Sequence, residues 1–255
     1  MIRAGLIIAS AILLAFIVLP LAGLFIRLTP GEFIAGLSSQ SARTALGLSA
    51  FTTSVSLALT LGLGTPLAYV LARGEFRGRR LLDALVDLPI VVPPAVAGLA
   101  LLLIFGRFGL LGPALRVVGI QLSFTTAAVI MAQIFVGTPF YVRAARNGFL
   151  AVDRTLEAAS STLGMGPLRT FAYVTAPLAA PALLGGAVLS WARSLGEFGA
   201  TIMFAGNLAG VSQTLPLAVY LNLQSGDLTI ATAVSALMVV LSLATILAVR
   251  TFEPR

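Results

Sequence analysis

Arg193 and Glu197 stand four residues apart, one helical turn, within the largely apolar stretch WARSLGEFGATIMFAGN at 191–207. An arginine inside a membrane-spanning helix costs about 2.5–3.5 kcal/mol on insertion scales, so its presence asks for a reason. Two readings fit. The pair cancels both charges inside a helix bundle, or it lines or gates a path for an anion. Ser194, Thr201 and Asn207 lie on the same stretch, with Ser190 just before it. Hydroxyls and amides of this kind solvate a dianion without trapping it. Thr52, Thr53, Ser54 and Ser56 enter an earlier apolar segment with the same chemistry. For most of these small residues, close helix–helix contact is the simpler role.

Other chemistry is short of parts. The chain contains no Cys and no His. That removes thiolates, disulfides and the commonest general base and metal ligand. A hydrolase needs a nucleophile with its base, or metal ligands. No G-x-x-x-x-G-K-[ST] run is present to cradle ATP phosphates. No catalytic residue, metal site or cofactor is therefore expected, and any energy source must lie on another chain.

The elements that position these residues are membrane spans. Of 255 residues, 58% are hydrophobic and 10% charged, and the mean hydropathy is +1.04. A soluble domain averages about 25% charged residues. A bilayer core takes about 20 apolar residues as helix. Six segments qualify, at 4–26, 49–72, 82–105, 123–142, 178–204 and 228–249. The expected fold is an all-α membrane protein of about six transmembrane helices, forming one domain over 1–255. The first segment is long for a signal peptide and reads as a retained anchor. The third carries Pro89, Pro93 and Pro94 and must kink or unwind. The fifth, with its Arg and Glu, is broken or crosses only in part.

All 16 cationic side chains are arginine. With the N-terminus inside, eleven border cytoplasmic connections: Arg3, Arg73, Arg77, Arg79, Arg80, Arg143, Arg146, Arg154, Arg169, Arg250 and Arg255. Four, Arg27, Arg43, Arg107 and Arg116, fall outside. That bias predicts both termini in the cytoplasm. It also accounts for the basic balance without nucleic acid. Arg73, Arg77, Arg79 and Arg80 are read as topology signals, with anionic lipid as the alternative contact. Asp83 and Asp87 are expected to pair with Arg79 or Arg80, or to face water.

One polar interruption stands out, AVDRTLEAASSTLGMGPLRTFAYVTAP at 151–177. Val152, Leu156, Ala159 and Leu163 recur at helical spacing and form one apolar stripe. Asp153, Arg154, Glu157, Ser160 and Ser161 take the other faces. Gly164, Gly166 and Pro167 then break the helix. A short cytoplasmic helix of this kind suits docking into a groove on a soluble partner.

This segment resembles the cytoplasmic signature of binding-protein-dependent ABC importer permeases. Aligned back from Gly164, the family's L-E-E-A-A-x-x-L-G meets Leu156 through Gly164, and Pro177 sits where the family places its proline. Ala158 takes the second acidic position and Ser160 replaces an alanine, which leaves Glu157 as the only local candidate for the carboxylate that touches the ATPase. The 191–207 block, QTLPLAVY at 213–220 and DLPIVVPPAVAG at 87–98 resemble the branch that imports molybdate, tungstate and sulfate, the molybdate permeases most of all. The resemblance implies a permease subunit in the cell inner membrane, working as a homodimer among membrane lipid. Two copies of a cytoplasmic ABC ATPase would drive it by alternating access, and an external oxyanion-binding protein would deliver the cargo. It implies a coupling helix built on Glu157, Ala158, Ala159, Leu163, Gly164, Met165, Gly166 and Pro177. Tungstate or sulfate is the alternative cargo. A secondary transporter driven by an ion gradient is the alternative class, but no inverted repeat is visible.

Overall fold

The computed structural model describes residues 2–252; Arg255 of the charge-bias set lies outside them. Among the described residues there are helices and no strand. Thirteen α-helices follow in order: α1 Ile2–Ile26, α2 Pro30–Ser38, α3 Gln40–Arg73, α4 Arg79–Val91, α5 Pro94–Phe105, α6 Gly112–Val117, α7 Thr126–Ala151, α8 Arg154–Thr162, α9 Pro167–Thr170, α10 Ala176–Leu195, α11 Gly199–Ala205, α12 Leu215–Gln224 and α13 Leu228–Phe252. A single π-helical turn, Phe171–Thr175, joins α9 to α10. Five stretches are long and apolar enough to cross a membrane, or six if α4 and α5 make one broken span.

The observed boundaries depart from the expected segments in four spans. The second and fourth spans are longer, with 34 residues in α3 and 26 in α7. Ser39, accepting from a backbone N–H three residues on, starts α3 at Gln40, ahead of the expected segment; Thr125 caps α7 in the same way at Thr126, and the added length of α7 lies at its end, through Ala151. The third segment turns through 114° between α4 and α5. Pro93 and Pro94 supply no N–H there, so no helical hydrogen bond crosses the break. The fifth span begins at Pro167 and ends at Leu195, and α11 is a separate short helix.

The core lies where α3, α7 and α10 meet. Ala68, Leu71 and Ala72 of α3 pack with Tyr141, Val142, Ala145 and Phe149 of α7 and Ala179 of α10. Tyr69, Phe149 and Phe171 stack edge-on or tilted, with ring centroids 5.2–5.8 Å apart. Small residues let α7 and α10 approach closely, the usual solution where lipid offers no hydrophobic drive for association. Ser190 donates to the Gly137 carbonyl at 2.9 Å across this seam.

Acid–base pairs tie α4 to α7. Asp83 lies 3.6 Å from Arg146 and Asp87 3.6 Å from Arg143. These are not the pairings with Arg79 or Arg80 expected from sequence. One carboxylate per turn of α4 faces one arginine per turn of an antiparallel α7. By contrast, α1 buries none of its membrane-spanning window and packs along α13.

Gly185 and Gly186 are neighbours on α10 in opposite surroundings. A Cβ on Gly186 would lie 2.6 Å from that of Ala144, while one on Gly185 meets nothing within 4 Å. Gly186→Ala is expected to destabilise the purified protein by about 1–3 kcal/mol through overpacking. Gly185→Ala should match or exceed the parent in thermal unfolding, since it removes a glycine from a helix.

Candidate functional site

The helix α8 is turned inside out relative to a surface helix of a soluble protein. Two of its polar side chains, Glu157 and Ser160, face the membrane body, while Arg154, Thr155, Ser161 and Thr162 are exposed. Glu157 Oε1 sits 3.1 Å from Arg73 Nη2, at the end of α3, and accepts a 2.7 Å hydrogen bond from the Thr175 hydroxyl in the π turn. Arg73 also donates to the Val152 carbonyl at 2.9 Å. Ser160 is buried and shares a 2.8 Å hydrogen bond with Thr170 of α9. The apolar side faces out. Of the predicted stripe only Val152 is buried, while Leu156 is 48% and Leu163 84% exposed, with Leu168 at 85% and Tyr173 at 73% beside them.

Local sequence sets this geometry. Asp153 caps α8 by accepting from the Thr155 N–H at 2.9 Å. That hydrogen bond holds its carboxyl below the usual carboxylate range. At the other end Gly164 takes φ +85°, a left-handed conformation that side chains resist. The Gly164 N–H then reaches Ser161 O and the Met165 N–H reaches Ser160 O, closing the helix with paired reverse bonds. Gly166 follows extended and Pro167 opens α9. The Ala176 N–H bonds to Phe171 O, five residues back, and Pro177 next to it has no N–H to give. Glu157, read from sequence as the carboxylate left for a partner, is committed to Arg73 and Thr175. Ala158, at the second acidic position, is exposed. Arg73 and Thr175 were not singled out for this contact; the signal available was an arginine ending the longest span.

The second group surrounds the break between α10 and α11. Arg193 Nη1 lies 2.8 Å from Glu197 Oε2, with the Glu197 side chain 1% and that of Arg193 30% exposed. The other carboxylate oxygen accepts from the Ala200 N–H at 2.7 Å, so Glu197 bridges α10 and the start of α11. Ser194 donates to the Gln133 carbonyl of α7 at 3.2 Å. Asn207 donates to the Leu217 carbonyl at 3.2 Å, and the Leu215 N–H reaches Ser49 Oγ at 2.8 Å, which pins the 206–214 segment between α12 and α3. Thr201 is buried, and its hydroxyl has no partner among the described residues. Thr52, Thr53, Ser54 and Ser56 donate to carbonyls of their own helix. α11 presses on α5, where a Cβ on Gly98 would lie 2.6 Å from the Ala200 carbonyl oxygen. Gln133, Gln213 and Thr214 share this region and were missed by sequence reasoning, although QTLPLAVY contains two of them.

Comparison with known proteins places these features in a family. Residues 64–255 match the family described as binding-protein-dependent transport system inner membrane component. The molybdenum transport system permease protein ModB of Mycobacterium tuberculosis is 42% identical, covering 94% of this chain and 91% of its own length. The probable transport system permease protein NifC of Clostridium pasteurianum is 38% identical, over 94% and 84%. A crystal structure of a bacterial ABC transporter involved in the import of the acidic polysaccharide alginate shares the fold, with a TM-score of 0.74, 17% identity and 98% and 93% coverage.

Two sets of variants test the geometry. Arg73→Ala is expected to cost roughly 2 kcal/mol, the scale of a lost hydrogen bond to a charged group, and to speed protease cutting at 153–166. Arg73→Met with Glu157→Met should recover part of that loss. Around the second break, Arg193→Ala strands a buried carboxylate and should cost about 3 kcal/mol. Arg193→Ala with Glu197→Ala should unfold at a higher temperature than Arg193→Ala alone.

Proposed function

The chain belongs to the family of binding-protein-dependent transport system inner membrane components, and we propose on that footing that it is the permease subunit of an ATP-driven molybdate importer. It is a multi-pass inner-membrane protein. Two copies enclose the path, since six spans are few for an occluded route and a two-fold pair gives twelve. Both termini lie in the cytoplasm, which puts α8 on the side where ATP is available. An external oxyanion-binding protein delivers the cargo, and membrane lipid covers the outer helices. The likeness to ModB over nearly the whole chain supports molybdate as the cargo, with tungstate or sulfate as the alternative.

The observation that carries the mechanism is the outward apolar face of α8. Leu156, Ala159 and Leu163, with Ala158 beside them, enter a groove on each of two ATPase copies. The Gly164–Met165–Gly166 turn lets the helix project. When nucleotide draws the ATPase pair together, α8 moves with it. Glu157 passes that motion to α3 through Arg73 and to the π turn and α10 through Thr175, with Pro177 keeping that turn out of regular α-helix. The membrane body then changes between inward-open and outward-open forms. On the path, Arg193, Ser194, Glu197, Thr201 and Asn207 line or steady the gate.

Uptake of labelled molybdate by proteoliposomes holding the complete complex tests this reading. Uptake should need ATP on the ATPase side, stop with a hydrolysis-dead ATPase, and yield to cold molybdate at lower concentration than to sulfate. Uptake that survives the dead ATPase and collapses with an uncoupler would replace the reading with an ion-gradient transporter.

A further inference from the structure

Besides Asn207, whose Oδ1 is likewise unpartnered, four almost fully buried side chains around the α10–α11 break keep a buried polar atom with no hydrogen-bond partner among the described residues. They are Thr201 Oγ1 on α11, Gln133 Oε1 on α7, and Gln213 Nε2 and Thr214 Oγ1 just before α12. Each residue is at most 2% exposed. Folded proteins leave few such groups unsatisfied, because a buried donor or acceptor without a partner costs free energy. Here four of them fall on elements packed on one another or held together through Ser194–Gln133, Thr126–Val211 and Ser49–Leu215 hydrogen bonds.

Apolar residues of the same shape would fill these positions at lower cost. The polar atoms make sense if a second arrangement of the helices gives them partners. The elements able to move are at hand. α11 has seven residues. It is set off from α10 by the break after Leu195 and from the next segment by Gly206, at φ +70°. The 206–214 segment has no regular helix.

We infer that Thr201, Gln213 and Thr214, with the Gln133 amide, form a transient solvation site for a tetrahedral oxyanion dianion, closed in this conformer and opened when α11 and 206–214 move off α7. This rests on the transport reading and names the groups that meet the cargo. Two hydroxyls and the Gln213 NH2 donate to anion oxygens, and a half-turn of the Gln133 amide brings a second NH2 to bear. All four are neutral. Arg193, on α10 beside the break, is balanced by Glu197. A site without net charge holds a dianion briefly and releases it, as a translocation path requires.

The test uses near-isosteric replacements in the complete reconstituted complex: Thr201→Val, Thr214→Val and Gln213→Met, singly and together. Melting temperature should stay level or rise, because unsatisfied polar atoms are removed. Maximal molybdate uptake should fall at least ten-fold in the triple variant, the molybdate-to-sulfate preference should shift at least three-fold in the singles, and Thr201→Ser, which keeps the hydroxyl, should take up molybdate faster than Thr201→Val. Full uptake in a more stable triple variant would overturn the inference and leave the transport reading intact. So would loss of uptake that tracks loss of stability. A wild-type complex that takes up no oxyanion would overturn the transport reading and the inference with it.

Discussion

The contact of Glu157 with Arg73 and Thr175 decides how the cytoplasmic end of this protein is built. It takes the Glu157 carboxylate of α8 largely out of water and turns that edge of the helix toward the membrane body. The apolar side is left with nothing of its own chain to cover it. An ion pair is a suitable tether here, because hydrophobic contact would have buried Leu156 and Leu163 instead. The pair is mostly buried, with side-chain exposures of 12% and 16%, and shares extra hydrogen bonds with Val152 and Thr175. Those extra bonds offset part of the desolvation that makes such pairs costly. One end of α3 and the π turn ahead of α10 are thereby attached to the same small helix.

The body to which α8 is attached divides by how it is packed. α3, α7 and α10 are joined through alanines, glycines and interlocking rings, with little room for relative movement. α5 and α11 press together at Gly98, and each joins its neighbour through a break, at Pro93 and at 196–198. Glu197 spans the second break and sets its angle. Packing of this kind suits a unit that moves as one piece between two positions.

Much of this was legible in residue types and spacing. Runs of apolar residues marked six spans, and the glycines after Leu163 marked the end of α8. The spacing of Val152, Leu156, Ala159 and Leu163 marked its apolar stripe, of which all but Val152 face outward. Arg193 and Glu197, one turn apart, announced their own ion pair. What sequence could not carry was tertiary choice. Asp83 and Asp87 had arginines close by in the chain, yet paired with α7, because an antiparallel helix presents its charges at the same rise per turn. Glu157 stood in a recognisable signature, but its direction depended on Arg73, 84 residues earlier. Prolines foretold a break in the third span without its 114° turn. Gln133, Gln213 and Thr214 looked like ordinary polar residues, since burial without a partner is a property of packing alone.

The central claim is that α8 keeps Glu157 and Ser160 on the membrane body and its apolar side for an ATPase. The chain has no cysteine, so single-cysteine variants report one position each. Maleimide labelling of Leu163→Cys and Ser160→Cys should be compared in the isolated permease and in complex with a cysteine-free ATPase. The account predicts rapid labelling at 163 in the isolated permease, strong protection there on assembly, and slow labelling at 160 in both. Equal labelling at 163 with and without the ATPase would contradict it.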